Sequence, residues 1–285
     1  MKFIAVQTGA RHNYAIPSLL SEAGMLSGFY TDACADVGLT KLAQWLPRFL
    51  QTRDIRNLRN RQLPSHVVEK TVTFEAPLIN FLLKKKLTDS DALRQRQLIF
   101  EFEERFGKAM TQKGFRKATH VIAMYGEEGS VFLEKAKEKG LTTVTDINIH
   151  PDVFEILREE QARHPGIEPD IPKEFVEIYR RRIERVSEVT DIFLVPSAFV
   201  QEGLLNHGVL TDNCRLVPYE VDNQWFEVCN QPRPGRILFA GTASLRKGIH
   251  TVGEAANLLQ ETCEFRVAGG VTSTVKQHKI SQNLN

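Results

Sequence analysis

No apolar run in this 285-residue sequence approaches the roughly 18–20 residues that a membrane-spanning helix needs. The opening MKFIAVQTGA carries too short an apolar stretch for a secretory signal. A cytoplasmic protein is therefore expected. An excess of charge of one sign is also lacking: 37 Lys and Arg against 35 Asp and Glu leave +2, so the composition calls for no nucleic-acid partner. Cysteine is scarce, and Cys34, Cys214, Cys229 and Cys263 show neither C-x-x-C spacing nor a matched pair of histidines. That excludes a zinc finger or a disulfide framework as the organising device. The common phosphate loops are missing too. Lys247 is preceded by Arg246 and followed by Gly248, which is not a Walker A sequence, and no G-x-G-x-x-G follows a predicted strand. P-loop enzymes and ordinary dinucleotide-binding oxidoreductases are thereby set aside.

What the sequence does contain is a repeated alternation. Short apolar runs recur at 2–7, 28–31, 71–74, 120–124, 142–147, 191–195, 237–240 and 265–268. Stretches with helical spacing separate most of them, at 14–23, 91–117, 127–139, 173–189 and 247–261. Strands alternating with helices predict parallel sheets built from βαβ units. The segment NQPRPG at 230–235, with two prolines and a glycine, can continue neither a helix nor a central strand and reads as an interdomain linker. This gives a first domain at 1–229 and the opening of a second at 236–285. The second stretch holds little more than one βαβ unit, and a two-stranded parallel sheet leaves apolar faces uncovered, so a C-terminally truncated domain is expected.

Several stretches are candidates for chemistry. In LFAGTASLRKG at 238–248, Gly241 ends a strand, Arg246 and Lys247 add two cations, and a helix follows. A glycine admits close backbone approach and a helix start favours an anion, so this turn suits a diphosphate. An ordinary βα turn with two solvated bases is the alternative. After the first strand, Gly9 gives the backbone room while Arg11, His12 and Asn13 offer hydrogen-bond donors, again with a plain turn as the alternative. His150 lies just beyond a strand's carboxyl end, where open α/β sheets bind ligands. Asp146, His150 and Asp152 match no standard metal spacing. Asp89-Ser90-Asp91 spells Asp-x-Asp but precedes a long helical stretch, so a helix cap is the simpler reading. The segment 41–61 holds six basic residues against the single acid Asp54, with Trp45, Leu46, Phe49 and Leu50 interleaved. It suits peripheral contact with an anionic membrane, an anionic acceptor, or plain solvation.

Three runs in order, VPSAFVQEGLLNHGV at 195–209, LVPYEVD at 216–222 and LFAGTASLRKG at 238–248, resemble the domain-joining region of family-4 glycosyltransferases of the GT-B fold. The resemblance implies an α/β protein of GT-B type, with an N-terminal Rossmann-like domain and an incomplete second one. It implies transfer of a hexose from a nucleoside-diphosphate sugar to a glycan or lipid-linked acceptor, with retention and without a metal or other cofactor. Gly241, Arg246 and Lys247 would hold the donor diphosphate and His150 the donor sugar, while the loop with Gly9, Arg11, His12 and Asn13 would face the acceptor. The family's usual Pro-Tyr-Gly-Val-Asp reads Pro218-Tyr219-Glu220-Val221-Asp222 here, which alters that loop. A truncated chain of this kind is expected to be inactive alone. GT-B folds also host nucleotide-sugar epimerases and phosphorylases, and a non-catalytic acceptor-binding fragment is a third reading.

Overall fold

The computed structural model describes residues 1–45, 53–88, 92–124, 130–219, 221 and 223–270. In chain order the elements are β1 (Phe3–Val6), α1 (Ala15–Glu22), β2 (Leu26–Thr31), α2 (Arg53–Arg59), α3 (Ser65–Val68), β3 (Thr71–Thr73), α4 (Glu75–Lys86), α5 (Ala92–Lys113), β4 (His120–Met124), α6 (Val131–Glu138), β5 (Thr142–Asp146), α7 (Val153–Arg163), α8 (Lys173–Val189), β6 (Ile192–Val195), α9 (Ala198–Asn206), β7 (Cys214–Leu216), β8 (Arg236–Ala240), α10 (Ile249–Leu258) and β9 (Glu264–Ala268). Two compact units result, one from Met1–Pro151 with Arg181–Pro218, the other from Asp152–Arg180 with Tyr219–Asn285. The chain thus passes between units at 151, 180 and 218, and 152–180 belongs with the later sequence. The 230–235 segment forms no helix or strand and turns at Gly235, φ 73°.

The first unit is a seven-stranded sheet in the order β3-β2-β1-β4-β5-β6-β7, every pair parallel. A central parallel strand is covered on both faces, which is why β1 reads as an unbroken apolar run. Ile4 and Val6, with Val121 and Ala123 of β4, join Phe106 and Met110 of α5 and Phe132, Leu133 and Ala136 of α6. The alternate residues Ala5 and Ile122 join Tyr14, Phe29 and Val67, with Ile16 and Leu20 of α1 packed against them. The period of two along each strand thereby feeds two helix layers. Each fully buried large side chain, Phe106 for example, contributes about 1.5–3 kcal/mol. Order reverses between β1 and β4: the chain builds outward from β1 to β3, then restarts on the opposite side of β1. Ligands of open α/β sheets bind at such a switch point, beyond the carboxyl ends of the strands.

The second unit pairs β8 with β9 in parallel, in register from Arg236 with Glu264 to Ala240 with Ala268. Ile167, Ala243, Leu245 and Ile249 form its buried apolar cluster, with Phe239, Val252 and Val267 against it. Phe154 of α7 meets Phe175 and Tyr179 of α8 edge-on, at 4.6 and 4.4 Å between ring centroids. The buried amide of Gln161 ties the intervening loop, donating to the Pro169 carbonyl at 2.8 Å and accepting the Ile171 N–H at 3.0 Å. On β8, Leu238 is 62% exposed. No described helix is long and apolar enough to cross a membrane.

Candidate functional site

At the switch point, the loop after β1 is held from beneath by two buried groups. The amide of Gln7 donates to the carbonyls of Gly9 and Arg11, at 3.1 and 2.7 Å. Asp32, just past β2, accepts the Gly9 N–H at 2.9 Å through one oxygen and Arg61 Nη1 at 3.0 Å through the other. Gly9 has φ 66°, and a β-carbon there would lie 3.6 Å from the Arg61 guanidinium. The next residues are more unusual: His12, Asn13 and Tyr14 are consecutively left-handed, with φ of 50°, 48° and 60°. Non-glycine residues held so cost of order 1–3 kcal/mol each, and such strain concentrates at functional sites. Tyr14 anchors the turn: it is buried, meets Phe29 edge-on at 5.8 Å, and its hydroxyl donates to the Arg61 carbonyl at 3.4 Å. Burial also pushes that hydroxyl's pKa up, so it stays a neutral donor. Arg11, His12 and Asn13, the loop's expected donors, all have exposed side chains.

Two residues at the end of β5 complete this edge. Burial pushes the Asp146 carboxyl above the ordinary aspartate range, against the pull of the nearby His12 imidazole. His150 is half-buried and packs on Phe199 of α9 at 4.3 Å between centroids. Ser197 starts that helix, its hydroxyl accepting the Val200 N–H at 3.3 Å. One turn further on, a β-carbon at Gly203 would lie 2.6 Å from His150 Nε2 and 2.7 Å from Pro151 Cδ. Glycine in mid-helix costs about 1 kcal/mol against alanine, and here it makes the room that the imidazole occupies. The structure therefore gathers Gly9, Arg11, His12, Asn13 and His150 in one unit, beyond the carboxyl ends of β1 and β5.

Gly241, Arg246 and Lys247 lie in the second unit. Gly241 donates to the Ala268 carbonyl at 2.9 Å, Ala243 to Gly270 at 2.8 Å, and Leu245 to a carboxylate oxygen of Glu168 at 3.0 Å. A 3-10 turn, Leu245–Lys247, then intervenes before α10. The amides of Lys247, Gly248 and Ile249 bond back to Ser244, Leu245 and Ser244. Six amides of this turn are thus bonded within the protein, and the cationic side chains of Arg246 and Lys247 stand exposed. Charge for an anion comes here from side chains more than from the helix start.

The sequence reading missed the supports, Gln7, Asp32, Arg61 and Glu168. Only Gln7 and Asp32, polar residues directly after the apolar runs of β1 and β2, carried a hint of that role. Arg61, counted among the bases of 41–61, turns onto Asp32 and is 30% exposed. Residues 46–52, the Asp-x-Asp at 89–91, Glu220 and Asp222 lie outside the described residues.

No family model matches the chain, and no curated protein matches its sequence. Solved structures do. Sucrose-phosphate synthase from Thermosynechococcus elongatus is 15% identical with a TM-score of 0.53, the match covering all of this chain and 70% of the other. A UDP-glucosyltransferase from Polygonum tinctorium (12% identical, TM-score 0.47) and a UDP-GlcNAc 2-epimerase from Neisseria meningitidis (12%, 0.46) are matched over all of this chain and 69% and 70% of theirs. At 15% identity the first likeness is one of fold, and it shows the α/β fold of GT-B type with a Rossmann-like parallel sheet.

Proposed function

We propose that this chain is a nucleotide-sugar-dependent glycosyltransferase that moves a hexose from a nucleoside diphosphate to a glycan or lipid-linked acceptor. The observation that carries the reading is the exposed pair Arg246 and Lys247 on the turn that leaves β8. Breaking the sugar–phosphate bond builds negative charge on the departing diphosphate, and two adjacent cations lower the energy of that charge as it forms. The pair supplies what a bound metal supplies elsewhere, so the transfer step needs no metal. With neither a second displacement nor a covalent sugar, departure and attack on one face retain configuration. The strained loop after β1 supplies acceptor-facing donors through Arg11, His12 and Asn13. His150, fixed by Phe199 and the space at Gly203, orients the sugar.

The test is calorimetric titration of the chain with UDP, ADP and GDP. One of them binds, and Arg246→Ala or Lys247→Ala weakens that binding by about 10- to 100-fold, the 1.5–3 kcal/mol range of charged hydrogen bonds. Absence of binding across the panel, or unchanged affinity in both variants, removes the pair from the donor site. Incubation with the sugar donor and no acceptor separates the neighbouring chemistry: an epimerised sugar replaces transfer by epimerisation.

A further inference from the structure

A cluster in the second unit is made of three residues that play no part in the site described above. Glu160 lies in the last turn of α7, His164 caps that helix and donates its backbone N–H to the Glu160 carbonyl at 3.0 Å, and His250 is the second residue of α10. One ligand atom from each falls within 4.8 Å of the other two. His250 Nε2 is 2.9 Å from Glu160 Oε1, His164 Nε2 is 3.7 Å from the same oxygen, and the two imidazole centroids are 4.3 Å apart. A tetrahedral zinc ion with bonds of about 2.0–2.2 Å holds its ligand atoms roughly 3.3–3.6 Å apart. The measured separations bracket that value. We infer that Glu160, His164 and His250 form a binding site for a zinc-class divalent cation that clasps α7 to α10.

The chemistry of the three groups agrees with this. Two imidazoles and one carboxylate are the donor set that zinc takes in three-ligand sites, with water in the fourth position. Glu160 supplies the carboxylate, and its Oε1 is the oxygen within hydrogen-bond distance of His250 Nε2. Arg163 Nη1 lies 3.2 Å from Oε2, which leaves Oε1 as the oxygen facing the histidines. His250 is only 7% exposed; its Nε2 faces Glu160 Oε1, while its Nδ1 is buried without a hydrogen-bond partner among the described residues. Ligating histidines commonly donate their second N–H to a carbonyl or carboxylate. Without that support, this site binds more weakly than a closed structural zinc site. Glu160 and His164 are partly exposed and give the ion its entry. The ion would fix α10 at its second residue, three positions after Lys247 in the chain. The inference does not depend on the proposed transferase activity.

Calorimetry of the full chain with zinc chloride tests it. One equivalent binds, and His164→Ala and Glu160→Gln each weaken binding by at least about 100-fold, the upper end for losing even a supporting group. Both substituted groups reach the surface, so circular dichroism should show an intact fold, which keeps the result interpretable if His250→Gln fails to fold. Cobalt provides the second readout. Its visible bands should indicate tetrahedral nitrogen and oxygen ligation, without the near-ultraviolet charge-transfer band that binding at a cysteine thiolate would give. Absence of stoichiometric binding, variants that bind like the parent chain, or a thiolate band each overturn the inference.

Discussion

Replacing Asp32 by alanine removes the carboxylate that holds the Gly9 amide in the loop after β1. Its two oxygens take the Gly9 N–H at 2.9 Å and Arg61 Nη1 at 3.0 Å, with Thr31 adding a hydroxyl at 3.2 Å. Hydrogen bonds to a charged group are worth about 1.5–3 kcal/mol each. Breaking a buried ion pair costs about 3–5 kcal/mol when the surviving partner cannot reach water. After Asp32→Ala the survivor is Arg61, whose side chain is 30% exposed and rehydrates, so the loss should be about 3 kcal/mol. The reverse deletion is harsher: Arg61→Ala strands a carboxylate that is 5% exposed, at about 4–5 kcal/mol. Asp32→Asn keeps an acceptor for Gly9 and loses only the charge, about 1–2 kcal/mol. Urea denaturation with linear extrapolation resolves this ladder against a total of about 5–15 kcal/mol. If Asp32→Ala falls within about 0.5 kcal/mol of the parent chain, or Arg61→Ala proves milder than Asp32→Ala, the argument that burial sets the order is wrong.

Two further outcomes follow from other buried contacts. Gly203→Ala gains about 1 kcal/mol of helix propensity but loses about 1–3 kcal/mol to overpacking, because its β-carbon would fall 2.6 Å from His150 Nε2. The variant should be no more stable than the parent and should shift the His150 ring resonances by NMR; a full gain in stability with unmoved resonances would contradict the packing. Burial pushes Glu103 of α5 up to about 7 against the pull of its partner Arg182, so between pH 4.5 and 7 the folded chain holds a proton that the unfolded chain has lost. Stability should therefore fall as pH rises through that window, by on the order of 3 kcal/mol. Glu103→Gln should flatten the slope, and an equally steep profile in that variant would assign the effect to other groups.

The elements that could be read from sequence are those whose signal is local. The strand at 120–124 was legible to the residue because its apolar run is continuous, and α8 because its apolar positions recur at helical spacing. The helix expected to run to 117 stops at Lys113, where Gly114 turns left-handed at φ 83° and bonds back to the Met110 carbonyl. β7 escaped notice: three residues, Cys214–Leu216, with an arginine in the middle, carry no pattern that separates an edge strand from a loop. Within the candidate site, position relative to strand ends was visible for Gly9, His150 and Gly241. The partners were not, because they are remote in sequence: Gly9 and Asp32 are 23 residues apart, Leu245 and Glu168 77, His250 and Glu160 90. Likewise, nothing in a run such as His12-Asn13-Tyr14 announces three left-handed residues. In the fold a buried tyrosine anchors one end of that turn and a buried glutamine holds the carbonyls at the other.

Because the chain passes between its units at 151, 180 and 218, neither unit is a contiguous stretch of the gene product. On the ribosome, β1 to β5 emerge first, and α7 and the first half of α8 emerge next, well before Ala243, Leu245 and Ile249, which cover Ile167. Synthesis at about 5–20 residues per second leaves that stretch waiting for its partners for several seconds. During that interval Ile167 lacks the residues that bury it in the finished unit. A cut at 229 would make the wait permanent, leaving Ile167 without Ala243, Leu245 and Ile249, and aggregation of the 1–229 piece would report on this interleaving rather than on any weakness of the seven-stranded sheet.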